Sequence, residues 1–121
     1  MKKYTESHEW VEVNGDTASV GISAYAVEQL GDITFMELPD VDAEVSAGDS
    51  AAFVESVKAA SDIYTPISGT VVEVNETLLD APETMNADAE GTFIFKLSVT
   101  DAGELDGLMD QAAYDAYKET L

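Results

Sequence analysis

The sequence predicts a mainly β protein, a sandwich of antiparallel sheets with one short internal helix and a helical C-terminal segment. Three observations predict it. The apolar runs are short and bounded by turn-forming residues, several of them alternate with polar residues, and helical spacing recurs in only one short central stretch and again near the C-terminus. At 121 residues and 45% apolar content the chain has room for one core and no second, so residues 1–121 read as a single domain.

The elements follow in order. Glu9 to Val13 leads into Asn14-Gly15, a pair suited to a type I′ turn, and Thr17 to Ile22 returns as the partner strand. Ser23 caps a helix over Ala24 to Leu30, where Ala26, Val27 and Leu30 share a face and Gly31 is placed to end it in the left-handed conformation. Ile33 to Leu38 reads as a strand closed by Pro39-Asp40, and Val41 to Asp49 as a polar connection. Two strand-like runs, Ala51 to Val57 and Ile63 to Ile67, flank a tip of six residues, Val57-Lys58-Ala59-Ala60-Ser61-Asp62. Gly69 permits a bend into Thr70 to Val74, where Val72 and Val74 alternate with Glu73. Residues 75 to 92 read as a long surface connection, followed by a strand from Phe93 to Val99 with Phe93, Phe95 and Leu97 on one face. A helical tail spans about 101–120: Asp101 or Thr100 starts it, Glu104 supports the cap, and Asp110 restarts it so that Ala113, Tyr114 and Tyr117 pack back onto the sheets.

Composition removes several function classes. All five basic residues are lysines against 25 acids, a formal net charge of −20 that repels nucleic acid and anionic membrane surfaces. That acidity fits either solubility and a salty habitat or steering onto basic partner surfaces. With no cysteine there are no disulfides, thiolate metal sites or cysteine nucleophiles. No apolar stretch reaches the roughly 20 residues of a membrane span, and polar residues follow Met1-Lys2-Lys3, so the expectation is a soluble, cytoplasmic protein. One histidine and no Gly-x-Ser-x-Gly leave little material for a catalytic triad, and no glycine-rich phosphate loop is present. Asp40-Val41-Asp42-Ala43-Glu44 begins like a calcium loop but lacks its turn glycine, so it reads as a solvated acidic turn.

Lys58 remains. It stands at the predicted hairpin tip among small uncharged neighbours, framed by Gly48 and Gly69. It is either a free surface lysine or a covalent attachment point for a group-carrying cofactor, where the protein supplies presentation and the attached group the chemistry.

Six segments carry a resemblance: Ser7-His8-Glu9-Trp10-Val11, Val20-Gly21-Ile22, Gln29-Leu30-Gly31-Asp32-Ile33, Val54-Glu55-Ser56-Val57-Lys58-Ala59-Ala60-Ser61-Asp62, Pro66-Ile67-Ser68-Gly69 and Val72-Glu73-Val74-Asn75. Together, in order and over about residues 3 to 119, they resemble the H proteins of the glycine cleavage system, lipoyl-carrying relatives of lipoyl and biotinyl domains. The resemblance implies a lipoyl/biotinyl-domain-like fold, a barrel-sandwich hybrid, and a non-catalytic carrier with lipoate amide-linked to Lys58. Its implied partners are a pyridoxal-phosphate glycine decarboxylase that loads an aminomethyl group and a tetrahydrofolate-dependent aminomethyltransferase that takes it on. A dihydrolipoamide dehydrogenase then reoxidises the dithiol, and a lipoate ligase or lipoyl/octanoyl transferase attaches the arm. A flexible arm on a stiff hairpin raises the local concentration of its cargo at each active site. Acylation would also leave 25 acids against four lysines, a balance of −21, and spare a partner's channel a desolvated ammonium.

The same resemblance assigns Ser7, Glu9 and Asp62 to a cleft that shields the loaded arm, and Glu55 to recognition by the attaching enzyme. His8 and Trp10 read as structural. Biotin is disfavoured at Lys58, because biotinyl lysines sit between methionines and Val57 and Ala59 stand there instead. Between Asn86 and Lys96 the chain departs from the family, lacking a Pro-Tyr pair and a Gly-Trp. The attachment motif is shared with H-like carriers and lipoyl donors serving other pathways, which is the alternative function.

Overall fold

A computed structural model describes residues 2–121. Every strand pairing in it is antiparallel. One sheet has six strands, β1 (Lys2–Tyr4), β2 (Glu9–Asn14), β3 (Thr17–Ile22), β9 (Phe95–Val99), β8 (Gly69–Val74) and β5 (Glu44–Val45), in that spatial order. The other has three, β4 (Ile33–Glu37), β6 (Ser50–Ser56) and β7 (Ala60–Tyr64), with β6 central. The sheets do not close into a barrel. They share one core, in which Val11, Val20, Val71, Phe95 and Leu97 of the large sheet meet Met36, Val54 and Ile63 of the small one.

Alternation along β2 serves both faces of the large sheet. Val11 points into the shared core, whereas Trp10 points the other way and joins Tyr4 and Tyr114 in a second cluster. That outer face is covered by α4 (Gln111–Lys118), whose first turn is capped by Asp110 accepting from the Ala113 N–H at 2.8 Å. Before it, a 3-10 turn (Ala102–Gly107) starts at Asp101, which accepts from Gly103 N–H. Helix α1 (Ala24–Leu30) bridges the sheets; Ser23 accepts from Ala26 N–H as expected of its cap, and Val27 is buried. Among the described residues no helix is long and apolar enough to cross a membrane.

Several local expectations are corrected. The first hairpin turns at Gly15-Asp16, since Asn14 already pairs with Thr17, and only Gly15 takes a positive φ (64°). A glycine in the first loop position is the type II′ pattern rather than I′. The connection from Val41 to Asp49 contains β5, which pairs with β8. In β8 a bulge between Val71 and Glu73 shifts the register, so Val72 and Glu73 are both exposed and Val72 does not share the partly buried face of Val74. The stretch 75 to 92 is not all surface. It holds two single-turn helices, α2 (Thr77–Asp80) and α3 (Thr84–Ala87), that place Leu78, Met85 and Ala89 in the main core. Glu104 does not support its own cap; it reaches back to accept from Ser68 N–H at 2.7 Å and Ser68 Oγ at 2.8 Å. In α4, Tyr114 is buried and Tyr117 partly so, but Ala113 faces solvent.

Candidate functional site

The β6–β7 hairpin is tighter than its six-residue tip suggested. Glu55 pairs with Ala60, Val54 with Ser61 and Phe53 with Asp62, which leaves a turn of Ser56-Val57-Lys58-Ala59. One hydroxyl organises it: Ser56 Oγ accepts from Lys58 N–H at 3.2 Å and Ala59 N–H at 3.0 Å, while Ser56 N–H donates to the Ala59 carbonyl at 2.8 Å. A second tie runs outside the hairpin, from Val57 N–H to the Asp32 carbonyl at 3.0 Å. The tip is therefore braced against the bend between α1 and β4.

Lys58 is exposed, and its amine is free. Lys2, Lys96 and Lys118 pair with Glu90, Glu73 and Asp115, and each also lies over an aromatic ring. Among the described residues Lys3 and Lys58 make no ion pair, and Lys3 is half-buried on β1. The Lys58 stem does not stand straight out. It lies across Gly31, where an added Cβ would come within 3.3 Å of Cε and 3.4 Å of Cδ. Gly31 ends α1 at φ 77° and ψ −150°, a region essentially confined to glycine, and not in the left-handed helical conformation expected of it.

Ser7, Glu9 and Asp62 do come together. They line a cleft of about 170 Å³ with His8, Ser61 and an apolar wall that includes Ile22, Ala26 and Leu30. Lys58 is outside it: Gly31, beneath the lysine stem, lines a neighbouring cleft of about 430 Å³ on the other flank of α1. Ser7 and Asp62 are exposed, and Asp62 Oδ1 accepts from Ser50 Oγ at 3.2 Å. Glu55 is exposed on β6, directly opposite Phe35 of β4.

Glu9 differs from an ordinary surface acid: it is only 3% exposed. Its Oε1 accepts from Thr5 Oγ1 at 2.6 Å and its Oε2 from Tyr64 N–H at 3.4 Å. Burial nevertheless dominates and holds its pKa above the usual carboxylate range, with these hydrogen bonds pulling the other way. A raised native pKa means that the folded chain takes up the Glu9 proton more readily than the unfolded one. This contribution to stability is full below about pH 4.5, the ordinary value, and is lost as pH rises through the native value. Glu9→Gln removes it, so the variant's stability relative to the unmodified chain is expected to rise between pH 4.5 and 7 in urea titrations. A difference that stays flat or shrinks over that range contradicts the assignment.

His8 supports the cleft from behind. It has φ 74°, uncommon for a side-chain-bearing residue, and its Nδ1 lies 2.8 Å from Tyr114 Oη, which is 2.6 Å from Ser23 Oγ. Burial, and then the nearby Lys118, lower its pKa. This Ser23–Tyr114–His8 relay escaped the sequence reading. So did the Gly31 seat, whose only signal was a glycine one residue after a helix, and Asn86, described below.

A family model described as "Glycine cleavage H-protein" matches residues 2–121. The chain belongs to the glycine cleavage H-protein family. Glycine cleavage system H proteins of Phenylobacterium zucineum and Paramagnetospirillum magneticum are similar to it. The first is 58% identical over 95% of this chain and 96% of the relative, the second 52% identical over 99% and 97%. A crystal structure of a glycine cleavage system H protein from Mycobacterium marinum superposes with a TM-score of 0.88 at 37% identity, covering 99% of this chain and 97% of that one. In this H-protein-family chain the segment after Asn86, which lacks the Pro-Tyr and Gly-Trp pairs, still closes the outer face. Trp10 Nε1 donates to the Ala89 carbonyl at 3.2 Å, and Glu90 accepts from Ala24 N–H at 2.7 Å and meets Tyr4 Oη at 2.7 Å.

Proposed function

We propose that residues 1–121 act as one lipoyl-carrier domain, the lipoyl-bearing shuttle of the glycine cleavage system, non-catalytic in itself. Lys58 carries lipoate through an amide. The observation that supports this most is the pairing of a free, exposed amine with a doubly braced hairpin beside a cleft containing a buried carboxylate. The residues present fit the group: among the described residues the Lys58 amine makes no ion pair, and its stem lies against Gly31. When attached, lipoate supplies a sulfur that accepts an aminomethyl group and a disulfide/dithiol couple.

The chain's own residues orient and shelter that cargo. The hairpin turn keeps the base of the arm fixed while the arm beyond it moves. Glu9, desolvated and incompletely compensated, gains from an incoming primary ammonium, which returns its pKa toward the ordinary range. Asp62 and Ser7 add an acceptor and a hydroxyl at the mouth, and the wall of Ile22, Ala26 and Leu30 limits water. Glu55, three residues before Lys58 and exposed, serves recognition by the lipoate ligase or lipoyl/octanoyl transferase. The partners in turnover are the pyridoxal-phosphate glycine decarboxylase, the tetrahydrofolate-dependent aminomethyltransferase and dihydrolipoamide dehydrogenase. Glycine-dependent carbon dioxide release by the decarboxylase is the test. Release is expected with the lipoylated chain and not with the unmodified chain; equal release from both, or none from either, contradicts the proposal.

A further inference from the structure

One polar side chain outside the cleft is tied to the bend that carries Lys58. Asn86, on α3, accepts from Ile33 N–H through Oδ1 at 3.0 Å and donates through Nδ2 to the Gly31 carbonyl at 2.8 Å. Its amide thus closes on both sides of Asp32. The same three-residue bend holds the hairpin twice, since the Asp32 carbonyl accepts from Val57 N–H at 3.0 Å and the face of Gly31 lies under the Lys58 stem. No other hydrogen bond among the described residues joins the tip residues Val57 to Ala59 to anything outside their own turn.

We propose that Asn86 is a positioning residue for Lys58: by clamping the Gly31–Ile33 bend it fixes both the carbonyl that braces the hairpin tip and the surface on which the lysine stem lies. The physical reasons are local. Gly31 sits at φ 77° and ψ −150°, and without a Cβ it has many other conformations open to it, so an unpinned bend relaxes readily. An asparagine amide suits the clamp because it is at once donor and acceptor in one plane. Alanine supplies neither function, and aspartate supplies only the acceptor and would set a carboxylate oxygen against the Gly31 carbonyl. The direction in which the arm leaves the hairpin is then set from a segment distant in sequence. The consequence, and the lipoylation readout below, rest on Lys58 being the attachment point; the exchange measurement does not.

The test is amide hydrogen exchange on the full, unmodified chain and on Asn86→Ala, Asn86→Asp and Glu83→Ala, the last an exposed α3 neighbour with no side-chain hydrogen bond. In Asn86→Ala the Val57 and Ile33 amides are expected to exchange about tenfold to thirtyfold faster, the effect of losing two neutral hydrogen bonds, with the β3–β9 amides unchanged. Asn86→Asp is expected to move the same two amides and Glu83→Ala neither. A second readout is lipoylation, where Asn86→Ala should raise the carrier's KM about fivefold while kcat stays within twofold, as an ordering cost in docking would. Unchanged Val57 exchange in both Asn86 variants, or a rise shared evenly with the β3–β9 amides, overturns the proposal. Because exchange needs no lipoate, failure of lipoylation in the unmodified chain would strike the carrier reading alone.

Discussion

Lys58→Arg is expected to give no acyl adduct when incubated with lipoate ligase, a complete loss where the unmodified chain gains the mass of one lipoyl amide. Arginine is the sharper substitution because it keeps the stem and the positive charge but stays protonated, so its guanidinium cannot form the amide. The fold should not notice. Among the described residues Lys58 makes no ion pair, it is exposed, and surface substitutions away from special contacts fall within about 0.5 kcal/mol. Intact mass reads the adduct and thermal unfolding reads the fold. An adduct that persists on Lys58→Arg would place the attachment elsewhere.

The second large effect is on stability. Tyr114 is 1% exposed, stacks on Tyr4 with ring centroids 4.3 Å apart and planes 2° apart, and holds both Ser23 and His8 through its hydroxyl. Tyr114→Ala removes a buried aromatic and leaves two polar partners without their bond, so a loss of about 3–5 kcal/mol is expected from truncation of this kind. Tyr114→Phe keeps the stack and should cost about 1–3 kcal/mol, the range for stranding a buried polar group. Both should loosen the residue-8 backbone, because His8 is held at φ 74° partly by Nδ1 against that hydroxyl. Denaturant unfolding separates the two variants; equal stability of Phe and Ala at this position would mean that the stack contributes nothing.

The parts of this fold legible in the sequence are those where local chemistry and tertiary packing agree. Ser23 and Asp110 cap helices because each is a short acceptor one residue ahead of an apolar helical pattern, and their bonds to Ala26 and Ala113 are found. The first hairpin and the Lys58 hairpin are legible because strand-like runs flank small turn residues, although the first turn lies one residue later than expected and the second is shorter. What was not legible depends on partners far along the chain. A two-residue strand such as β5 has no pattern of its own and exists only because β8 pairs with it. Single-turn helices α2 and α3 bury just Leu78 and Met85, too few apolar residues to show a period. The Val71–Glu73 bulge interrupts the alternation by leaving Val72 and Glu73 exposed together, and the valines on both sides of it hide that break in the sequence.

The candidate site divides in the same way. Lys58 stands out by its place at a hairpin tip, whereas Glu55, Ser7, Glu9 and Asp62 enter only through the resemblance; Ser7, Glu9 and Asp62 line one cleft. Composition offered no hint that Glu9 is buried among so many exposed acids; that follows from β2 carrying it inward beside Thr5 and Tyr64. Asn86 was visible only as the start of a segment departing from the family, because a clamp on a bend 53 to 55 residues away leaves no local pattern.

Peptide mapping of the lipoylated chain locates the arm. A single lipoyl amide is expected, on the peptide that spans Val57-Lys58-Ala59, with Lys2, Lys3, Lys96 and Lys118 unmodified. An adduct on any of those four lysines, or a chain that no lipoate-attaching enzyme modifies, would contradict that expectation.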